Sequence, residues 1–300
     1  MTGHDVERTV SSNGNRLGAS LRLPSRAAPG TLPAVLLLAG SGPLDRDGNA
    51  PGMPIGIQRA LAVALATAGY ASLRFDRRGV ADGGDWREAS FEDNYRDAEA
   101  AWHELIVSPA VDPDRMVVIG HSEGALHATR LAAAVAPAAT VLLAGAARPG
   151  SEVLLWQAET IAGATEGADV AQVVAQSAAA QQALRATTTA VATVGGQEMN
   201  AAWFREFLDY DARTDLKNIT TPLLAITGDK DLQVPPSDLE AIAALVPGRC
   251  ETHRPADVTH LLRTDPAPPS MADYARQVSE PMDPAVIRMT ILWLDSIMQG

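Results

Sequence analysis

The sequence predicts an α/β fold: a mostly parallel central sheet flanked by helices, with a helical segment inserted late in the chain. Three observations carry this reading. Apolar runs of strand length, AVLLLAG (34–40), RMVVIG (115–120), TVLLAG (140–145) and PLLAITG (222–228), lack polar alternation, as strands buried on both faces do. Helical patterns alternate with these runs, the order that builds a parallel sheet. The alternation then stops between about 147 and 216, where Ala-, Gln- and Thr-rich sequence has helical character and no convincing strand.

Residues 5–23 open as two polar-alternating runs around Asn13-Gly14-Asn15, an antiparallel hairpin. Strand 34–40 is followed by a loop rich in Gly, Pro and Asp, then by a helix over 56–68 that ends at Gly69. YASLRFD (70–76) reads as a strand and 90–107 as an amphipathic helix stopped before Pro109. Strand 115–120 leads into a helix over 124–136, and strand 140–145 follows. After the interruption come strand 222–228, a helix at 236–245, a short strand near 249–254 and a last amphipathic helix at 284–298. The expected organisation is a core in two pieces, 1–146 and 217–300, with 147–216 as an inserted helical cap. Within the cap, 171–192 is rich in Ala, which favours helix without supplying a packing face and leaves partial flexibility open.

Composition narrows the function classes. A formal charge of −12 over 300 residues argues against a nucleic-acid partner, which demands a positive surface, and against an anionic membrane surface. No apolar run reaches the length of a membrane span, and MTGHDVERTV lacks a basic start and an apolar core, so a cytoplasmic location is expected. The single cysteine, Cys250, excludes an internal disulfide and a Cys-based zinc cluster.

The chemistry begins at Gly120-His121-Ser122-Glu123-Gly124, which matches G-x-S-x-G. A bare match arises by chance in a Gly-rich chain, but here an apolar strand precedes it and a helix follows, as a nucleophile elbow requires. The sharp turn lifts the Ser122 hydroxyl clear of the strand end. It also aims the N–H of Glu123, at a helix start, toward a developing oxyanion.

In such a site the acid and then the base follow the serine along the chain. His4, His103, His121 and His127 come too early, leaving His253 and His260. His253 falls inside the short strand CETHRP, whereas His260 lies beyond it in the loop ADVTHLL, and His260 is the preferred base. GDKDLQVPP (228–236) follows a strand and offers Asp231 as the preferred orienting acid, with Asp229 as the alternative, a turn residue. A second oxyanion donor comes from the small-residue loop GSGPLDRDGN (40–49), through the N–H of Ser41 or of Gly42. Asp45, Arg46 and Asp47 are either an ion-paired brace for that loop or a solvated turn.

The motifs GSGPLDRDGN, FDRRG (75–79), GHSEG, LDYDARTDL (208–216), GDKDLQVPP and VTHLL together resemble bacterial esterases of the α/β-hydrolase fold. The likeness covers nearly the whole chain and is weakest at 165–195. It implies Ser122, Asp231 and His260 as the catalytic triad and the N–H groups of Ser41 and Glu123 as the oxyanion hole. Ala39 stands where many relatives have a histidine before the glycine, which bears on the position of the second donor. The resemblance implies a small-molecule ester or acyl substrate handled through an acyl-enzyme, with no metal or organic cofactor.

Trp156, Trp203, Phe204 and Phe207 in the cap are candidate substrate-binding residues, the other reading being that they glue cap to sheet. An acyltransferase or thioesterase would use the same triad, and a peptidase shares the fold. A non-catalytic ligand-binding homologue is the reading from another class. A haloalkane dehalogenase would need a carboxylate in place of Ser122.

Overall fold

Strand β3 (Leu32–Leu38) shows how the core is divided. All seven of its residues are buried, and their side chains alternate between two cores: Ala34, Leu36 and Leu38 on one face, Val35 and Leu37 on the other. A strand buried on both faces cannot alternate with polar residues, which is why the run reads as continuously apolar. The computed structural model describes residues 3–25 and 30–298; the outermost positions of the two expected core pieces, 1–2 and 299–300, lie outside the described residues.

The sheet has eight strands in the order β1-β2-β4-β3-β5-β6-β9-β10. β1 (His4–Ser12) and β2 (Asn15–Leu23) form the expected hairpin, and β2 also pairs antiparallel with β4 (Ala71–Phe75). From β4 through β3, β5 (Val111–His121), β6 (Ala139–Leu143), β9 (Leu223–Ile226) and β10 (Cys250–His253) every pairing is parallel. The chain direction across the sheet reverses at β3 and β5, so a crevice opens beyond their carboxyl ends, the usual ligand position in open α/β sheets. Helices α1 (Ile57–Thr67) and α10 (Pro284–Met298) pack on one face. On the other lie α2 (Phe91–Ile106), α3 (Glu123–Val135) and α8 (Asp238–Leu245), with Cys250 packed against their apolar core.

Between β6 and β9 the chain forms α4 (Gly150–Gly163), α5 (Val170–Arg185), α6 (Ala201–Asp209) and α7 (Ala212–Leu216). One expectation needs correction here. The segment does contain strands: β7 (Val191–Val194) and β8 (Gln197–Asn200) pair antiparallel across a two-residue turn. That turn is Gly195-Gly196, with φ of 60° and 80°, the backbone a tight hairpin needs and glycine adopts without a Cβ clash. The Ala-rich stretch is helical through Arg185, packed on α4, with the hairpin taking over from 191. A short helix α9 (Tyr274–Gln277), preceded by a single 3-10 turn at Met271–Asp273, also escaped the periodicity because it is barely one turn long.

Because Leu36 is fully buried in the middle of the sheet, Leu36→Ala is expected to lower the unfolding free energy by about 2–5 kcal/mol. Urea denaturation checks this; a loss below about 1 kcal/mol would remove β3 from the centre of the core.

Candidate active site

β5 ends and α3 begins around Ser122, whose backbone sits at φ 57°, ψ −122°. This conformation is strained for any residue with a Cβ and persists only where the surroundings impose it. Two close approaches impose it. A Cβ on Gly120 would run into the Gly124 carbonyl, and one on Gly124 would meet the backbone carbonyls of Leu38 and Ala39 at the end of β3. The bend therefore needs glycine at both positions. The Ser122 N–H donates to the Leu143 carbonyl at 2.9 Å, pinning the turn to β6.

His260 Nε2 lies 3.1 Å from Ser122 Oγ, and its Nδ1 lies 2.9 and 3.0 Å from the two carboxylate oxygens of Asp231. His260 and Asp231 are both buried. A carboxylate only accepts, so Nδ1 carries the proton and Nε2 presents its lone pair to the Ser122 hydroxyl. Asp231 is held in turn by the N–H groups of Gln233 and Val234, at 2.8 and 2.9 Å. The loop after β10 delivers the imidazole as a tight reversal: Thr259 N–H donates to Arg263 O, and Leu262 N–H to Thr259 O.

The alternatives left open by the sequence fall elsewhere. Asp229 accepts from the Asp257 N–H at 2.7 Å and braces the loop bearing His260, so it serves as a structural turn residue. His253 is on β10 and pairs with Glu251. Ser41 and Gly42 both line the crevice in front of Ser122, together with Glu123. The loop carrying them is braced, with the ion pairs of Arg46 and Asp47 made to residues outside the loop. Arg46 makes a fork to Asp76 just beyond β4, Asp47 takes the Arg74 guanidinium at 2.8 Å, and Asp45 accepts from the N–H groups of Asp47 and Asn49.

Several buried polar residues were not singled out from the sequence. Arg77 donates to the Gly40 carbonyl and, at 2.7 Å, to the Glu123 carboxylate. Glu123 also accepts from Asn94 at 3.2 Å and His127 at 3.0 Å. Burial opposes its ionisation, yet the Arg77 charge and the His127 hydrogen bond together outweigh it and hold the carboxyl at about 2. His121 points its Nε2 at the His260 carbonyl, 2.9 Å away. FDRRG marked the Arg77 loop, but only the tertiary fold shows what the guanidinium holds.

The crevice belongs to a cavity of about 470 Å³ whose walls include Leu126, Val153, Leu154, Trp203, Phe204 and Phe207. Trp86 and β8 close another side, with Asn200 donating to the carbonyls of Trp86 and Ala89 at 2.7 and 2.6 Å. Trp203 stacks on Phe207 at 4.5 Å, and Phe91 of α2 meets Phe207 edge-on at 5.9 Å. These aromatics thus both line the cavity and join the inserted segment to the sheet layer. Trp156 departs from the expectation and is not among the residues lining this cavity. On α4 the residues facing the space are Val153, Leu154 and Gln157, and Trp156 lies roughly 100° round the helix from Gln157. A second, more apolar cavity of about 350 Å³ between α4 and α5 shares Leu154, Gln157, Met199 and Phe204 with the first.

The fold is that of the α/β-hydrolase class. Residues 54–267 match the serine aminopeptidase S33 family (Hydrolase_4), and the chain belongs to it. The match begins after the loop carrying Ser41. Among curated proteins, esterase EstD of Thermotoga maritima is 26% identical over 252 residues, covering 81% of this chain. The chain spans only 56% of the length of that relative. In fold it is similar to Est1E from Butyrivibrio proteoclasticus with ferulic acid bound, at TM-score 0.67 and 16% identity over 98% of this chain and 100% of the other. The esterase domain of a Rhodothermus marinus protein gives TM-score 0.59 and 18% identity, over 97% of each chain. Among the described residues no helix is long and apolar enough to cross a membrane.

Burial, and secondarily the nearby His260 imidazole, pushes His121 from its usual 6.5 to about 3. Its folded pKa is depressed, so the neutral ring stabilises the fold fully above pH 6.5, and that contribution is lost as the pH falls toward 3. His121→Gln keeps a donor for the His260 carbonyl without the titration. Its stability is expected to fall less steeply than wild type between pH 6 and 4, by up to ~1.4 kcal/mol per pH unit. Urea midpoints across that range test it, and parallel slopes would refute it.

Proposed function

We propose that the chain is a carboxylester hydrolase acting through an acyl-enzyme on Ser122. The observation that carries this reading is the unbroken line from the Asp231 carboxylate through the His260 ring to the Ser122 hydroxyl, at 2.9 and 3.1 Å. Ser122 Oγ attacks the ester carbonyl carbon as its proton passes to His260 Nε2, and Asp231 stabilises the imidazolium without itself being protonated. The carbonyl oxygen, now an anion, is held by the N–H groups of Ser41 and Glu123. His260 then protonates the departing alkoxide, leaving the acyl group on Ser122. Water, deprotonated by the same imidazole, attacks the acyl carbon and releases the acid and the free serine. The relatives named esterases support ester cleavage over the acyltransferase and thioesterase alternatives.

In this reading residues 147–216 act as a cap over a core formed by 1–146 and 217–300, and the cap determines the substrate. The aromatic and aliphatic walls of the 470 Å³ cavity suit a small-molecule ester with an apolar or aromatic acyl group. Phe204 and Met199, with Leu154 and Gln157, line both this cavity and the apolar one, a position from which they set the length that is accepted.

Turnover of nitrophenyl acetate, butyrate and octanoate tests the reading. Ser122→Ala is expected to lose at least ~10⁴-fold in kcat with unchanged circular dichroism. Retention within tenfold would sink the assignment of Ser122. Faster turnover of an aminoacyl nitroanilide than of any ester would replace the esterase reading with the aminopeptidase one suggested by the family name.

Phe204→Ala joins the two cavities. It is expected to raise kcat/KM for octanoate relative to butyrate on the order of tenfold. An unchanged ratio would separate the second cavity from the substrate path.

A further inference from the structure

Two N–H groups from unrelated parts of the chain must converge on one oxygen if the proposed reaction is to run. One is on Ser41, in the loop after β3; the other is on Glu123, at the first position of α3, where no intrahelical acceptor exists. Their separation is not set by either local motif. The side chain of Arg77, 9% exposed, lies in the wall of the same crevice as Ser41 and Glu123.

Arg77 reaches both segments. One of its terminal nitrogens, Nη1, donates to the Gly40 carbonyl and lies 3.4 Å from the Ala39 carbonyl; the other, Nη2, donates to Glu123 Oε1 at 2.7 Å. The Gly40–Ser41 peptide is trans and planar, so the Ser41 N–H points opposite to the Gly40 carbonyl. Capturing that carbonyl therefore fixes the direction of the Ser41 N–H. Gripping the Glu123 carboxylate fixes the residue that carries the second N–H. Arg77 is itself held, its own N–H donating to the Leu44 carbonyl at 2.9 Å, which ties the loop after β4 to the one carrying Ser41. Asn94 and His127 complete the cage around Glu123 from α2 and α3.

On the strength of the proposed ester chemistry, we infer that Arg77 is the positioning residue of the oxyanion hole. Its planar fork sets the distance and direction between the Ser41 and Glu123 N–H groups. A lysine ammonium is a point donor on a flexible stem and cannot span both acceptors in fixed geometry. The role differs from simple neutralisation of the buried Glu123, which Lys would also provide.

The test uses the full chain with Arg77→Lys and the double variant Arg77→Met/Glu123→Leu. The double variant leaves no uncompensated buried charge and so protects folding. Steady-state hydrolysis of nitrophenyl butyrate and the rate of Ser122 labelling by a fluorophosphonate are measured beside thermal melts. Affinity for an alkyl boronic acid, a mimic of the tetrahedral anion, is compared with affinity for the unreactive butyl ether of the substrate.

Both variants are expected to lose on the order of 10²- to 10³-fold in kcat, with KM within about threefold. Boronate affinity should fall with kcat/KM, and ether affinity should stay level. If Arg77 serves only to neutralise Glu123, the double variant regains wild-type kcat and boronate affinity, and the inference is overturned. A wild type inert toward both ester and phosphonate overturns the proposed reaction and this inference with it. An active wild type with fully active variants overturns the inference alone.

Discussion

The site depends on how closely two backbone segments approach at the end of β5. Gly124 sits against the Leu38 and Ala39 carbonyls with no room for a Cβ, and Gly120 sits against the Gly124 carbonyl in the same way. With β3 that near, the chain can leave β5 and enter α3 only through a turn that forces Ser122 to positive φ. The strain costs on the order of 1–3 kcal/mol, offset by the two buried cores on either face of the sheet. The approach has a second consequence. It brings the loop after β3 and the start of α3 side by side, so that two segments more than 80 residues apart share one crevice.

Around that crevice, buried charge is used for placement. Arg46 is forked to Asp76, Arg78 to Asp97, and Arg77 to Glu123 and the Gly40 carbonyl. Pairs of this kind add little net stability, because desolvation cancels much of their attraction, but removing one partner strands the other in a poor solvent. Each guanidinium therefore restricts where its loop can sit. The loops after β3 and β4 are tied into one unit, while Asp231 and His260 arrive from the opposite side of β5, beyond β9 and β10.

The inserted segment is attached differently, through apolar contact and a few polar ties. Trp203, Phe207 and Phe91 interlock across the boundary, Asn200 bonds the carbonyls of Trp86 and Ala89, and Asp238 of α8 accepts from the Ala147 N–H at 2.8 Å. Trp203 and Phe207 also line the cavity. A single aromatic cluster thus joins the layers and shapes the space for a ligand.

The sequence by itself determined the parallel sheet, the order of its elements and the serine elbow. Each rests on local information: continuous apolar runs mark strands buried on both faces, and a glycine-flanked serine between strand and helix allows one geometry. It also favoured His260 as candidate base and Asp231 as candidate acid, because each follows a strand end in the right order along the chain. The Gly195-Gly196 hairpin was equally local, a glycine pair after β-branched residues, hidden by the surrounding helix-forming alanines. Tertiary structure alone decided the rest. Trp156 misses the cavity because α4 turns it off the facing stripe, and Arg77 meets Gly40 and Glu123 across 37 and 46 residues. Such pairings follow from how the strands are ordered in space, and no short-range periodicity encodes them.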